Sequence, residues 1–420
     1  MLALYGGDPV IRQTFKPYTT IGEEEISAVV DVMRSGILSK FIGAWCDDFY
    51  GGPQVQSFEN EWKKFFKVKH AIAVNSWTSG LTAAVGAIGI EPGDEVIVSP
   101  WTMAASATSI LHWNAIPVFA DISLEDFCLN PLAVESAITE KTKAIMIVDI
   151  FGQSADMDTF RNLANRYNLL LISDSAQAPG ALYKNKLAGT MADIGGYSLN
   201  YHKHIHTGEG GIVVTDNDEF AERVRLIRNH AEAVVNEKGT ADLDNMIGYN
   251  YRMGEIEAAI GKEQLKKFPE LLKTRQHAAR KLIEGLKAIS SIKLPSDNFE
   301  RTNSFYVLPI VLHLEKLRAS RREIYQALIA EGLEGISEGY VNLHLLPMYQ
   351  NKIAYGRNGY PWSASESSKN INYSEGICPV AEKLHAETFL ELEICRFELN
   401  EVEIQLIISV FKKVFDHFSI

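Results

Sequence analysis

The sequence predicts an α/β protein: a large domain on a three-layer, mostly parallel sheet, followed by a smaller α+β domain. Three observations predict it. Between about residues 55 and 227, short apolar runs alternate with helical patterns of about ten residues, the pattern of a sheet buried under helices on both faces. A long helical stretch near 253–286, with Ala258-Ala-Ile-Gly-Lys-Glu-Gln-Leu265 inside it, reads as a bridge. A chain of 420 residues also has length for a second core. The division expected is an N-terminal arm and large domain over 1–265 and a small domain over 266–420.

The elements follow in order. Val55, Phe58, Trp62 and Phe65 share one face of a helix predicted over 54–66. Strands are predicted over 71–74, 95–98, 116–119, 144–148, 169–172, 193–199 and 211–215. Helices are predicted over 78–88, 104–113, 131–138 and 157–167. Beyond the bridge come a strand over 305–311, a helix over 319–332 and a terminal helix over 401–415. The stretch 349–373, rich in Asn, Ser, Gly and aromatics, reads as a long loop.

Composition excludes several classes. Hydrophobic residues make up 46% and charged residues 22%, ordinary for a globular protein. A net charge of −12 argues against a nucleic-acid binder. Cys46, Cys128, Cys378 and Cys395 lie far apart, which favours free thiols over a disulfide framework. The N-terminus shows no basic segment leading into an apolar run, and no stretch approaches the roughly 20 apolar residues of a membrane span. A soluble, cytoplasmic protein is expected.

In such sheets ligands sit beyond the carboxyl ends of the strands, and the chemically suggestive residues cluster there. Asn75-Ser-Trp-Thr-Ser-Gly-Leu81 links a strand to a helix, so free N–H groups face the strand end and suit a phosphate; Ser76 also reads as a plain helix cap. Trp101 follows a strand and reads either as a stacking ring for a flat heterocycle or as a core aromatic. Asp174 and Gln177 lie in Ser173-Asp-Ser-Ala-Gln177. Lys203 lies in Ser198-Leu-Asn-Tyr-His-Lys-His-Ile-His-Thr-Gly-Glu-Gly-Gly211, whose glycines permit close backbone approach. A lysine held in a partly dry pocket becomes nucleophilic. Paired with a carboxylate that keeps a pyridine nitrogen protonated, it reads as a site for pyridoxal 5′-phosphate (PLP). Alternate histidines at 202, 204 and 206 permit a metal, but Lys203 and Ile205 separate them, and pocket-lining or structural histidines are expected instead; no metal is expected.

The ordered set resembles the DegT/DnrJ/StrS family of PLP-dependent sugar aminotransferases, of the aspartate-aminotransferase fold type I. The resemblance covers nearly the whole chain. It rests on Phe58-Glu, Lys69-His-Ala-Ile-Ala-Val-Asn-Ser-Trp-Thr78, Pro92-Gly-Asp-Glu-Val-Ile-Val98, Pro117-Val-Phe-Ala-Asp121, Asp174-Ser-Ala-Gln177, Ser198 to Gly211, and Gly248-Tyr-Asn-Tyr-Arg-Met253. It implies that Lys203 carries the cofactor and shuttles a proton. It implies Asp174 at the ring nitrogen, Gln177 at the ring hydroxyl, and Trp101 stacked on the ring. Thr78 and Ser198 would bind the phosphate, with Ser76 and Trp77 also among the cofactor-binding residues. Asn250 would reach the cofactor of a neighbouring subunit in a homodimer. Arg252, His202 and His344 are candidates on the substrate side, His344 equally an ordinary surface histidine. The implied reaction moves an amino group from L-glutamate to a keto-sugar carried on a nucleotide, for amino sugars of surface polysaccharide such as O-antigen. A keto-cyclitol acceptor is the rival, and a non-catalytic regulator the more distant one.

Four places depart from the family pattern. Trp77 stands where a small residue, commonly Gly, is usual. Ser173 replaces a common Glu. The segments 40–53 and 356–362 are additions expected to shape the acceptor pocket.

Overall fold

The apolar runs of the first half pair as one sheet in the computed structural model, which describes residues 1–296 and 300–420. Its strands are β1 (His70–Val74), β2 (Glu95–Val98), β3 (Ile116–Phe119), β4 (Thr142–Val148) and β5 (Leu170–Asp174). A small hairpin of β6 (Leu182–Tyr183) and β7 (Lys186–Leu187) stands apart, and β8 (Ile194–Ser198) and β9 (Gly211–Thr215) complete the sheet. The order is β1-β9-β8-β5-β4-β2-β3, and every pairing is parallel except those made by β9.

Both faces are covered. On β1, Ile72 and Val74 enter one core while Ala71 and Ala73 enter another. On β9, Val213 joins the first and Ile212 and Val214 the second. This two-residue alternation across a doubly buried sheet explains why the strands read as continuous apolar runs. The helices in chain order are α1 (Glu23–Ser35), α2 (Pro53–Phe66), α3 (Trp77–Ala87), α4 (Ala105–His112), α5 (Pro131–Ala137), α6 (Met157–Tyr167), α7 (Asp218–Arg228), α8 (Ala231–Lys238) and α9 (Glu255–Leu286). The stretch read as a bridge is a single 32-residue helix that runs through Pro269.

A second core forms on the sheet β10 (Ile292–Lys293), β11 (Leu308–Leu312), β12 (Ile336–Ser337) and β13 (Phe389–Leu392), all antiparallel. The helices α10 (Arg321–Ala330) and Glu401–Phe418 supply Ile324, Leu328, Ile407 and Phe411 to it. Leu2, Ile11 and Phe15 from the N-terminal arm join the same core, and Leu282 and Leu286 from α9 tie it to the bridge helix.

The stretch 349–373 is not a structureless loop. It holds the short helical turns Pro347–Gln350, Trp362–Ala364 and Glu366–Lys369. Tyr349, Trp362 and Tyr373 are buried in the first core, and the Tyr373 hydroxyl donates to the Pro117 carbonyl 2.6 Å away. The stretch therefore covers β3, the edge strand of the sheet, which would otherwise present unpaired backbone groups. No described helix is long and apolar enough to cross a membrane.

Candidate active site

Sheet register gathers the chemistry at one edge. Val74 ends β1 opposite Gly211, which opens β9. Gly211 lies opposite Ser198, the end of β8, and Asp174, the end of β5, lies beside Gly196. The segments that leave these ends enclose a cavity of about 210 Å³. Ser76, Trp77, Thr78, Asp174, Gln177, Ser198, His202 and Lys203, all singled out from sequence, line it.

The turn into α3 is built from Ser76, whose extended backbone and Oγ, accepting from the Ser79 N–H at 3.1 Å, start the helix. The first N–H groups of a helix have no partner within it and carry its positive end. Gly211 permits this turn to sit close: a Cβ there would lie 2.6 Å from the Trp77 nitrogen. Trp77 itself points inward, and its Nε1 donates to Asp174 Oδ1 at 2.7 Å.

Asp174 is buried and well supplied with donors. Oδ1 also accepts the Ala176 N–H at 3.2 Å, and Oδ2 accepts from Ser106 Oγ at 2.7 Å. Behind it lies Asp149, fully buried, which accepts from Ser173 and Ser175 hydroxyls and the Ala155 N–H. Burial pushes the Asp149 pKa up to about 6. Ser173 therefore supplies a hydroxyl donor to Asp149, where a glutamate would set a second carboxylate.

Gln177 is oriented by a contact no motif encodes. Its Oε1 accepts the Phe151 N–H at 2.7 Å, so its amide nitrogen turns toward the cavity, where it donates to the Tyr340 hydroxyl at 2.8 Å. Lys203 extends its Nζ over the Tyr306 ring, 4.1 Å from the centroid. Burial lowers its pKa to about 8, against the opposing attraction of Asp174. His202, beside it, is lowered to about 4 by burial and by the Lys203 charge, so its imidazole is neutral at pH 7.

Four other expected residues lie outside this cavity. Trp101 does not line the cavity. It is buried edge-on against Phe389, ring centres 4.6 Å apart, and its Nε1 donates to the Tyr340 carbonyl. Of the two readings of Trp101, the structure places it in the core; Thr102 and Met103 face the cavity instead. His344 is neither a surface residue nor a pocket residue. It is fully buried, with Nε2 2.9 Å from Glu382 Oε1, and it packs near Phe119. Asn250 and Arg252 lie outside the cavity of their own chain, with Arg252 Nε donating to Asn250 Oδ1 at 2.7 Å. The Asn250 carbonyl accepts from Asn75 Nδ2, which sets this segment on the outer side of the α3 turn. Neither added segment, 40–53 or 356–362, lines the cavity of its own chain.

The three histidines diverge. His202 faces the cavity, His204 Nε2 donates to the Ser304 carbonyl at 2.8 Å, and His206 Nε2 contacts Thr20 Oγ1 at 2.8 Å. Thr20 gives its own proton to Gln264 Oε1, so His206 is the donor in that pair. No group of three or more metal-ligating side chains occurs among the described residues.

Sequence reasoning missed Ser106, Tyr340, Asn200 and Glu209. Ser106 and Tyr340 reach the site from a helix face and from the segment after β12, with no local pattern to mark them. Asn200 and Glu209 lie inside the segment already quoted, bonded to each other at 2.9 Å, and Asn200 Oδ1 is buried without a partner.

The residues present fit PLP. One cavity offers an amine with a lowered pKa, a buried carboxylate with accepting capacity left, an aimed amide donor and a helix N-terminus. Comparison with known proteins agrees. The DegT/DnrJ/EryC1/StrS aminotransferase family model matches residues 19–387. The chain is 34% identical over 359 residues to the spore coat polysaccharide biosynthesis protein SpsC of Bacillus subtilis, covering 83% of this chain and 89% of that one. It is 36% identical over 299 residues to the GDP-perosamine synthase of Caulobacter vibrioides, covering 71% and 79%. It is 30% identical over 423 residues to a Micromonospora echinospora protein named as an L-glutamine:3-amino-2,3-dideoxy-scyllo-inosose aminotransferase, covering 100% and 98%. Among solved structures, the sugar aminotransferase Spr1654 of Streptococcus pneumoniae in its PLP form superposes with a TM-score of 0.78 at 26% identity, covering 97% and 99%. The chain belongs to the DegT/DnrJ/EryC1/StrS family of PLP-dependent aminotransferases.

Proposed function

We propose that this aminotransferase moves the amino group of L-glutamate onto the keto group of a nucleotide-linked sugar, making amino sugars for surface polysaccharide such as O-antigen. The observation that carries the reading is the Lys203 amine and Asp174 carboxylate lining one cavity, in a chain whose relatives include a GDP-perosamine synthase. When bound, PLP supplies a carbonyl for the amino group and a ring that takes up electrons from the carbon losing its proton. The protein's part is to hold and move protons. Lys203, whose amine gives up its proton near pH 8, would move a proton between the reacting carbon of the donor or acceptor and C4′ of the bound cofactor. Asp174 keeps the ring nitrogen protonated. Gln177 donates to the ring hydroxyl oxygen, and Ser76, Thr78, Ser198 and the start of α3 hold the phosphate.

A keto-cyclitol acceptor is the second reading, favoured by the full-length relative named for scyllo-inosose chemistry. An assay following 2-oxoglutarate release from L-glutamate separates the two. A nucleotide keto-sugar is expected to drive release and a keto-cyclitol is not; the reverse result, or turnover only with L-glutamine, which would release 2-oxoglutaramate instead, would replace this reading.

The active unit in this reading is a homodimer with shared sites. Asn250 and Arg252 face away from their own cavity, so they are available to the cofactor or substrate of a second copy. On α1, Ile26, Val30 and Met33 form an apolar stripe at helical spacing, exposed by 50%, 37% and 56%. Sedimentation is expected to give twice the 46.8 kDa chain mass. A monomer with full turnover would remove the shared site. The same reading places the enzyme in the cytoplasm, and its recovery in membrane pellets would contradict that.

A further inference from the structure

We propose that Trp77 is the positioning residue of Asp174: its indole N–H holds one carboxylate oxygen, so that the other is left to meet the ring nitrogen of the cofactor. This deepens the reading above and rests on Asp174 being the ring partner.

The argument begins with a count of acceptor sites. A carboxylate oxygen offers two lone pairs. Oδ1 of Asp174 receives the Trp77 Nε1–H at 2.7 Å and the Ala176 N–H at 3.2 Å, which fills it. Among the described residues, Oδ2 receives only the Ser106 hydroxyl, at 2.7 Å, and keeps one site. The carboxylate is thus held in one rotation, with its remaining capacity on one named atom. Donors to a charged acceptor also favour its ionised form.

The indole is seated as a fixed part of the wall. A Cβ on Gly80 would lie 2.6 Å from Trp77 Cε3, and a Cβ on Gly196 would lie 2.3 Å from Cζ3. Gly196 has no positive φ, but a Cβ there would also lie 2.2 Å from the Ile212 carbonyl oxygen, so its missing side chain leaves room for both that carbonyl and the indole. Gly196 also sits beside Asp174 in the sheet register, so the same gap that admits the ring delivers its nitrogen to the carboxylate. Trp77 is buried, and its N–H does not titrate, so the bond persists at every working pH. The large residue in the α3 turn is therefore turned away from the phosphate and toward the acid.

Two replacements test this. Trp77→Phe removes the N–H and part of the ring. Substitution of Trp77 by 3-benzothienylalanine removes only the N–H and keeps the bicyclic volume, so it carries the test if Trp77→Phe does not fold. Both are expected to weaken PLP binding to the cofactor-free protein about tenfold, the effect of one hydrogen bond to a charged group. Both are expected to lower kcat more than they raise KM. The visible absorption of the lysine-bound cofactor is expected to titrate at higher pH, because a more basic carboxylate draws the ring proton toward itself and leaves the ring less electron-poor. A benzothienyl variant with wild-type PLP affinity and wild-type titration overturns the proposal and leaves Trp77 a space filler. Asp174→Asn serves as the separate check: if it leaves affinity and absorption unchanged, the assignment of Asp174 itself has failed, and this inference with it.

Discussion

Lys203→Ala is expected to lose turnover by about a thousandfold or more while retaining its fold. The amine has two tasks, holding the cofactor and moving the proton, and general acid–base catalysis alone contributes about a hundredfold to ten-thousandfold. Removing it should be structurally mild. The charge sits over the Tyr306 ring and makes no hydrogen bond or ion pair among the contacts of the described residues, and burial already disfavours it. The readouts are turnover, borohydride trapping of PLP on a peptide holding position 203, and thermal unfolding. Normal catalysis by the variant would end the mechanism.

The same residue sets a pH dependence with a definite sign. Its pKa is lowered in the folded chain from 10.5 to about 8. The unfolded chain therefore binds more protons between about pH 8 and 10.5, and stability of the cofactor-free protein should rise with pH across that window. Capture of PLP needs the neutral amine, so its rate should climb to about pH 8 and then level off. A rate still climbing to pH 10 would show an ordinary, solvated lysine. Lys203→Ala should flatten the stability curve over the same window.

Asp174→Asn is expected to lose about a hundredfold or more in kcat and only about 1–2 kcal/mol in stability. The asparagine carbonyl can still accept from Trp77 and Ala176, and the Ser106 hydroxyl can turn to accept from the new amide nitrogen. The packing survives. The electrostatics do not, because a neutral amide N–H now faces the ring nitrogen and favours its unprotonated form. Kinetics and thermal unfolding measured together decide it: a large loss of stability with an unaltered rate would make Asp174 structural.

The parts of this fold that were legible were those set by local periodicity. β9 and α6 fall on their predicted limits, 211–215 and 157–167, because apolar spacing there matches one element type and polar residues bound it. Lys203, Asp174 and Gln177 were legible because strand ends in a parallel sheet open on one edge. Trp101 misled because its position after β2 says where its backbone lies, and its rotamer depends on Phe389, almost three hundred residues away. β13 escaped notice altogether, as did Tyr340, which meets Gln177 across 163 residues of sequence. His344 and Glu382 likewise meet only through tertiary packing. The aromatics of 349–373 signalled a functional loop by composition, yet their rings fill a core beside an edge strand. The oddity at position 77 was visible in the sequence as a departure; what it touches was not.

The gap at Gly80 and Gly196 also constrains the order in which such a site can be assembled. An indole cannot enter while either position carries a methyl, since the clash falls on ring carbons that have nowhere to go. Both glycines must therefore have preceded the tryptophan along any route of viable single steps. Grafting this turn onto a relative would need all three positions together. Reversal is possible from the tryptophan first, leaving a slot that a later alanine at position 80 could close, while Gly196 stays fixed by the Ile212 carbonyl.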